Sequence, residues 1–171
     1  MIVLDASAAI DWLLQTAAGQ QIETRIYSRA ESLHAPHLLD LEVAQVLRRL
    51  VREAAVSAQR ADQVLQDLLS LRVTRYPHFV FLPHIWRLSR NLSAYDAAYV
   101  VLAEELGASL ITRDARLASG SARGGNRRTV LTLGLARLSL AVRQTGVYCG
   151  VESSSRLSGL VANSFREVTP G

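Results

Sequence analysis

The sequence predicts an α/β fold in which helices surround a mostly parallel central sheet. Short apolar runs of strand length, such as residues 2–4 and 109–112, alternate with longer segments whose apolar residues have helical spacing. This alternation favours parallel pairing, because a parallel strand pair needs a long crossover, usually a helix, between its strands. With 171 residues, the chain is long enough for one domain with a substantial core.

The predicted elements follow in a regular order. Strands are predicted at residues 2–4, 33–35, 72–75, 109–112 and 129–133, and helices at 8–14, 20–30, 38–54, 57–69, 84–90, 93–106 and 135–142. Ser7, Ser57 and Ser93 stand where the N-caps of three of these helices are expected. Gly107 follows the helix that begins at Ser93, and glycine is the residue that most often ends a helix.

The charge of the chain is unevenly distributed. Residues 1–118 contain 12 arginines and 13 acidic residues, whereas residues 119–171 contain 7 arginines and 2 acidic residues. The surplus that gives the chain its net charge of +4 therefore belongs to the C-terminal stretch. A basic balance is often taken to indicate nucleic-acid binding, but it does not do so for the main body of this chain.

The composition indicates a cytoplasmic protein without a membrane span. No apolar run reaches the ~18 residues that a membrane-spanning helix needs. The sequence starts with a strand-like run rather than a basic stretch followed by an apolar leader, so no secretory signal is expected. Cys149 is the single cysteine and cannot form an internal disulfide. The four histidines are scattered, and no Cys/His cluster has zinc spacing.

Four acidic residues stand at the predicted ends of strands or the beginnings of helices. Asp5 follows the first strand and Asp114 follows the fourth, while Glu42 and Asp96 lie in the early turns of two helices. In open parallel sheets, ligand sites form beyond the carboxyl ends of the strands. We therefore expect the four carboxylates to converge at one edge of the sheet.

A cluster of carboxylates needs a counter-charge, because like charges raise one another's pKa. Mg²⁺ favours carboxylate oxygens, keeps several waters and bridges to phosphate, which suits the hydrolysis of a phosphodiester bond. Ser7 and Thr112 each lie two residues from an acid of this set, so their hydroxyls are expected to orient Asp5 and Asp114. Arg48, Arg49, Arg113 and Arg116 lie near these acids in sequence and are candidates for contacts with a phosphate backbone.

Each acid also has a purely structural interpretation. Asp96 and Ser93 form a capping box, Glu42 is placed to pair with Arg49 as a solvated helix acid, and Asp114 suits a turn or a cap. Asp5 is the hardest to explain in this way, because a charge directly after a buried strand seldom serves packing. The joint placement of the four acids, rather than any one of them, predicts the metal site.

The same positions resemble the motifs of PIN-domain ribonucleases, and in particular of VapC-type toxins from type II toxin–antitoxin pairs. The matching segments are residues 2–8 with Asp5 and Ser7, residues 38–50 with Glu42, residues 92–99 with Asp96, and residues 110–117 with Thr112 and Asp114. The order and spacing of these segments agree with that family over residues 1–118.

This resemblance implies a three-layer α/β/α sandwich and an Mg²⁺-dependent endoribonuclease, with Mn²⁺ as the other candidate ion. Asp5, Glu42, Asp96 and Asp114 would be the catalytic acids, and the first, third and fourth of these would bind the metal. Ser7 and Thr112 would be the supporting hydroxyls. The implied partners are an RNA substrate, a VapB-like antitoxin and a second copy of the chain.

The C-terminal part of the chain departs from this family. The nuclease domain is expected to span residues 1–134, and residues 135–171 form an extension that the resemblance does not explain. The composition of the chain changes abruptly after residue 118, which is compatible with an altered reading frame; the three translated frames of the gene would test this.

Two other functional classes compete with the nuclease. One is a catalytically inactive PIN-like module that binds RNA or protein and keeps a vestigial acidic site. The other is a receiver or phosphatase with acids at its strand ends, but the lysine that a phosphorylatable aspartate needs is absent from this chain. A phosphate-binding P-loop and a G-x-G-x-x-G motif are also absent, which argues against nucleotide-driven chemistry.

Overall fold

The central sheet consists of five strands in the order β3-β2-β1-β4-β5, and every neighbouring pair is parallel. The computed structural model describes residues 1–114, residue 117 and residues 130–132. The strands are β1 (Ile2–Leu4), β2 (Leu33–Pro36), β3 (Val73–Tyr76), β4 (Ser109–Thr112) and β5 (Val130–Thr132). The prediction of a mostly parallel sheet is therefore confirmed.

Six α-helices and one 3-10 helix connect these strands within the described part of the chain. They are α1 (Ala6–Leu13), α2 (Ala17–Ser28), α3 (Leu38–Arg52), α4 (Ala58–Ser70), the 3-10 helix His78–Phe81, α5 (Leu82–Arg87) and α6 (Ala94–Leu106). Ser57 and Ser93 cap α4 and α6 as predicted, and Gly107 ends α6 in the left-handed conformation with φ of 56°.

The helices pack on both faces of the sheet and give a three-layer α/β/α sandwich. Side chains alternate along a strand, so Ile2 and Leu4 pack with residues of α1 to α4, whereas Val3 packs with residues of α6. On β4, Ile111 belongs to the first of these clusters and Leu110 to the second. The burial of both faces explains why the central strand β1 is apolar throughout, whereas the edge strand β3 also carries Thr74 and Arg75.

Three helix starts differ from the predictions. Helix α5 spans Leu82–Arg87 and not the predicted 84–90, because Pro83 lies in its first turn and does not precede it. Helix α1 is capped by Asp5, whose side chain accepts a hydrogen bond from the Ser7 N–H, so Ser7 is not its cap. Aspartate and serine are equally good caps, and the more N-terminal of the two acts here. Helix α2 begins at Ala17 rather than at residue 20, with Thr16 as its cap.

Several sequence-based predictions fall on the C-terminal part of the chain. The predicted helix at 135–142, the domain boundary at 134 and the extension 135–171 lie outside the described residues. Among the helices that are described, none has the length and hydropathy required to cross a membrane.

Candidate active site

Asp5 lies at the carboxyl edge of the sheet, where β1 ends and α1 begins, and only 7% of its surface is exposed. Its Oδ2 atom accepts hydrogen bonds from the Ser7 hydroxyl at 2.5 Å and from the Thr112 hydroxyl at 2.8 Å. Thr112 reaches Asp5 because β4 is the neighbour of β1 in the sheet. The two predicted supporting hydroxyls thus both contact the predicted acid.

The same hydroxyls hold the chain that follows β4. The Ser7 Oγ accepts a hydrogen bond from the backbone N–H of Arg113 at 2.9 Å, and the Thr112 Oγ1 accepts one from the N–H of Asp114 at 3.0 Å. Each hydroxyl therefore donates to Asp5 and accepts from the backbone of the next segment. This network brings the backbone of Asp114 to the same strand edge as Asp5, as the sequence predicts.

Glu42 reaches the site from α3 and is held by a residue that the sequence interpretation did not assign. The hydroxyl of Tyr99, on α6, donates a hydrogen bond to the Glu42 Oε2 at 2.5 Å, and Tyr99 is only 1% exposed. Glu42 therefore pairs with Tyr99 and not with Arg49, the partner of its structural interpretation. The available signal was the position of Tyr99 three residues after Asp96, since such residues share a helix face.

Asp96 lies in the first turn of α6 and combines two properties. Its backbone N–H donates to the Ser93 Oγ at 3.1 Å, and the Ser93 hydroxyl donates to its Oδ2 at 2.8 Å. The capping role anticipated from the sequence is thus present. The negative charge of Asp96 also acts on Glu42 and contributes to raising the pKa of that carboxyl.

The electrostatic environment opposes ionisation of two of these acids. Burial raises the pKa of Asp5, although hydrogen bonds from Ser7 and Thr112 act in the opposite direction. Burial also raises the pKa of Glu42, as do the negative charges of Asp5 and Asp96, while the bond from Tyr99 lowers it. Asp5 and Asp96 are therefore both within electrostatic range of Glu42, and a cation near Glu42 is favoured.

The donor chemistry of this site fits a hard divalent cation. Within the residues that the structure describes, no three His, Cys, Asp or Glu side chains form a group able to hold a metal ion by themselves. Mg²⁺ does not require such a group, because it usually keeps several waters and uses one or two carboxylates. The prediction that Asp5, Asp96 and Asp114 bind the metal stays a prediction.

The arginines proposed for RNA binding differ in their surroundings. Arg48 and Arg49 are exposed on α3, and the Arg48 Nε donates to the Gln45 side chain. Arg113 instead points inward, where its Nε lies 2.7 Å from the Asp11 Oδ2 and only 14% of its side chain is exposed. This geometry does not support the predicted RNA contact through Arg113. Arg116 lies outside the described residues.

Comparisons with known proteins agree with this fold and identify a family. The family model of the PIN domain matches residues 2–121. The chain is 46% identical over 117 residues to a VapC ribonuclease of Mycobacterium bovis and equally to ribonuclease VapC9 of Mycobacterium tuberculosis, covering 68% of this chain and 88% of each relative. Ribonuclease VapC12 of Mycobacterium tuberculosis is 42% identical over 118 residues, which are 69% of this chain and 90% of that protein.

Solved structures with the same fold include a protein of Pyrobaculum aerophilum, with a TM-score of 0.54 and 26% identity over 70% of this chain and 78% of that chain. A second is VapC20 of Mycobacterium tuberculosis, described as a toxin that cleaves the sarcin–ricin loop. Its TM-score is 0.51 with 16% identity over 70% of this chain and 94% of that chain, so it supports the fold alone.

Proposed function

Because this chain belongs to the PIN-domain family and, within it, to the VapC ribonucleases, we propose that it is an endoribonuclease that hydrolyses RNA phosphodiester bonds with the help of Mg²⁺ or Mn²⁺. The observation that carries the proposal is the buried Asp5 at the carboxyl edge of the sheet, held by two hydroxyls and electrostatically coupled to Glu42. A buried acid that the fold keeps at such an edge is typical of an active site.

The residues of the proposed site would have different roles. Asp5, Asp96 and Asp114 would hold the cation, and Glu42 would complete the acidic set. A bound cation supplies charge neutralisation at the phosphate and a more acidic water as the nucleophile. Ser7 and Thr112 fix the orientation of the Asp5 carboxylate, because their hydroxyls both donate to its Oδ2. Tyr99 fixes Glu42 through the bond to its Oε2.

The biological context in this proposal follows the family. The chain would act in the cytoplasm as the toxin of a toxin–antitoxin pair, neutralised by a VapB-like antitoxin, and would form a homodimer. The exposed Arg48 and Arg49 of α3 would contact the RNA backbone, since they lie on the helix that carries Glu42.

The first test is cleavage of a labelled structured RNA by the purified chain with Mg²⁺, by the same chain with chelator, and by two variants. Asp5→Asn and Asp96→Asn should each lower kcat by more than about 100-fold, since even residues that only orient metal ligands contribute 10- to 100-fold. Both variants keep an oxygen that can accept the bonds from Thr112 and Ser93, so we expect them to fold.

Asp62→Asn is the matched control, because Asp62 is an exposed aspartate on α4 and the substitution makes the same chemical change. It should cleave like the parent chain. Cleavage by Asp5→Asn or Asp96→Asn at the rate of the parent would refute the site assignment. A parent chain that binds RNA without cleaving it, and regardless of the metal, would favour the inactive binding module.

A further inference from the structure

We propose that Asp11 and Arg113 form a positioning pair; this inference rests on the proposed function. The pair holds the segment after β4, and with it the proposed site at the carboxyl edge of the sheet, in the geometry that RNA cleavage requires. The Arg113 Nε lies 2.7 Å from the Asp11 Oδ2; the side chain of Asp11 is 8% exposed and that of Arg113 is 14% exposed. Arg113 stands between Thr112 and Asp114, two residues of the proposed site.

Helix α1 contacts Arg113 at two points. Ser7 and Asp11 are four residues apart, so they lie on the same face of the helix. Ser7 accepts the backbone N–H of Arg113, and Asp11 accepts its guanidinium. A residue held at both its backbone and its side chain cannot shift without breaking one of these contacts. The hydrogen bonds from Ser7 and Thr112 to Asp5 depend on the same position of the segment after β4 relative to α1.

Asp11 is itself fixed by the adjoining helix. Its Oδ1 accepts a hydrogen bond from the Thr16 hydroxyl at 2.9 Å, and Thr16 is the N-cap of α2. Gly19 of α2 packs so closely on α1 that a Cβ at this position would lie 1.9 Å from the Asp11 backbone oxygen. The carboxylate that receives Arg113 is thus held by two helices, which makes it a rigid reference for the segment after β4.

Asp11 does not belong to the acidic set of the proposed site, since its charge is used by Arg113. We therefore assign it a positioning role. A side chain that only orients ligands of a site contributes about 10- to 100-fold.

The test compares Asp11→Asn and Arg113→Lys with the parent chain in two measurements. The first is RNA cleavage, in which we expect Asp11→Asn to lower kcat about 10- to 100-fold while KM stays near the parent value. Arg113→Lys keeps the positive charge and the backbone N–H, so it should lose less. The second is hydrogen exchange at the Arg113 and Asp114 amides, which should become faster in Asp11→Asn while the amides of the sheet keep their protection.

Glu31→Gln is the matched control, because Glu31 forms a comparable pair with Arg25 at 2.6 Å, with exposures of 17% and 18%. Glu31 precedes β2 and so lies at the amino end of the sheet, away from the acidic residues. Its loss should leave kcat and the exchange rates of the two amides unchanged.

A double variant tests whether the pair acts as one unit. The kcat of Asp11→Asn/Arg113→Gln should be no lower than that of Arg113→Gln, because each single variant already breaks the same contact.

Parental kcat and unchanged exchange at Arg113 and Asp114, measured where Asp11→Asn is fully folded, would overturn the proposal and leave the pair a purely structural one. If Asp11→Asn does not fold, Arg113→Lys carries the same two measurements. If the parent chain cleaves no RNA, the proposed function fails, and the exchange measurement still decides whether the pair positions the segment after β4.

Discussion

The two ends of helix α1 carry buried carboxylates in opposite surroundings. As whole residues, Asp5 at its beginning and Asp11 near its end are 7% and 6% exposed. Asp11 lies against the guanidinium of Arg113. Asp5 is held by the hydroxyls and N–H groups of neighbouring residues, and burial nevertheless raises its pKa.

This difference separates an acid that holds another segment of the chain in place from one that we propose to bind a ligand. The charge of a buried carboxylate next to a guanidinium is already compensated. Removing one partner destabilises the fold, because the other charge stays buried without compensation. A buried carboxylate whose ionisation the fold opposes is retained at a cost in stability, and such residues cluster at functional sites. The comparison therefore assigns the two ends of one helix to two different tasks.

The largest expected effect is a loss of stability at the end of α1 that carries Asp11. Asp11→Ala should lower the free energy of unfolding by about 3 to 5 kcal/mol, because it removes the carboxylate that lies 2.7 Å from the largely buried guanidinium of Arg113. Asp5→Asn should not lower it at neutral pH without divalent ions, since it removes a charge that burial disfavours. Urea unfolding of both variants measures the two values. Equal losses in both would erase the distinction between the two ends.

An intermediate effect is expected from Mg²⁺ binding at the proposed site. Mg²⁺ at a hundredfold excess over its Kd should stabilise the parent chain by about 2.7 kcal/mol, because a ligand that binds only the native state shifts the folding equilibrium. The measurement is thermal unfolding with and without Mg²⁺ at equal ionic strength. Asp62→Asn should respond like the parent, and Asp5→Asn should respond much less. The same gain in Asp5→Asn would place the ion elsewhere.

Local sequence patterns are sufficient to predict the strands and most helices. The apolar run at 2–4 ends at Asp5, and the pattern S-x-x-D at Ser93 marks the start of α6. Since parallel strands end at one edge of a sheet, these local features also predict that Asp5 and the backbone of Asp114 lie together. The three-layer arrangement is predicted by the family resemblance and not by the local patterns.

These local patterns do not predict contacts between residues that are far apart in the sequence. Tyr99 shares a helix face with Asp96, but it is 57 residues from Glu42, and no pattern in the sequence pairs it with that residue. Sequence alone suggests a surface position for Arg113, because arginine is mostly an exposed residue. Its pairing with Asp11 is not predicted, because Asp11 lies on an element that is distant in the sequence. The predicted start of helix α2 is too late, since Gly19 disfavours a helix locally, whereas here the absence of a Cβ permits close packing on α1.

The smallest expected effect is a change in the pH dependence of stability at Glu42. Its pKa in the folded chain is raised above the ordinary value of 4.5, so between these two values the native state holds a proton that the unfolded chain releases. The contribution is therefore complete below pH 4.5 and is lost as the pH rises through the raised pKa. Stability without divalent ions should fall with pH across this window.

Glu42→Gln should make this fall shallower, because the amide does not titrate and still accepts the hydrogen bond from Tyr99. It should not abolish the fall, since the raised pKa of Asp5 acts in the same direction. Tyr99→Phe removes the bond that lowers the pKa of Glu42 and should move its window to higher pH. Urea unfolding across the mildly acidic to neutral range measures all three chains, and a Glu42→Gln curve parallel to that of the parent would show that Glu42 titrates like an ordinary surface acid.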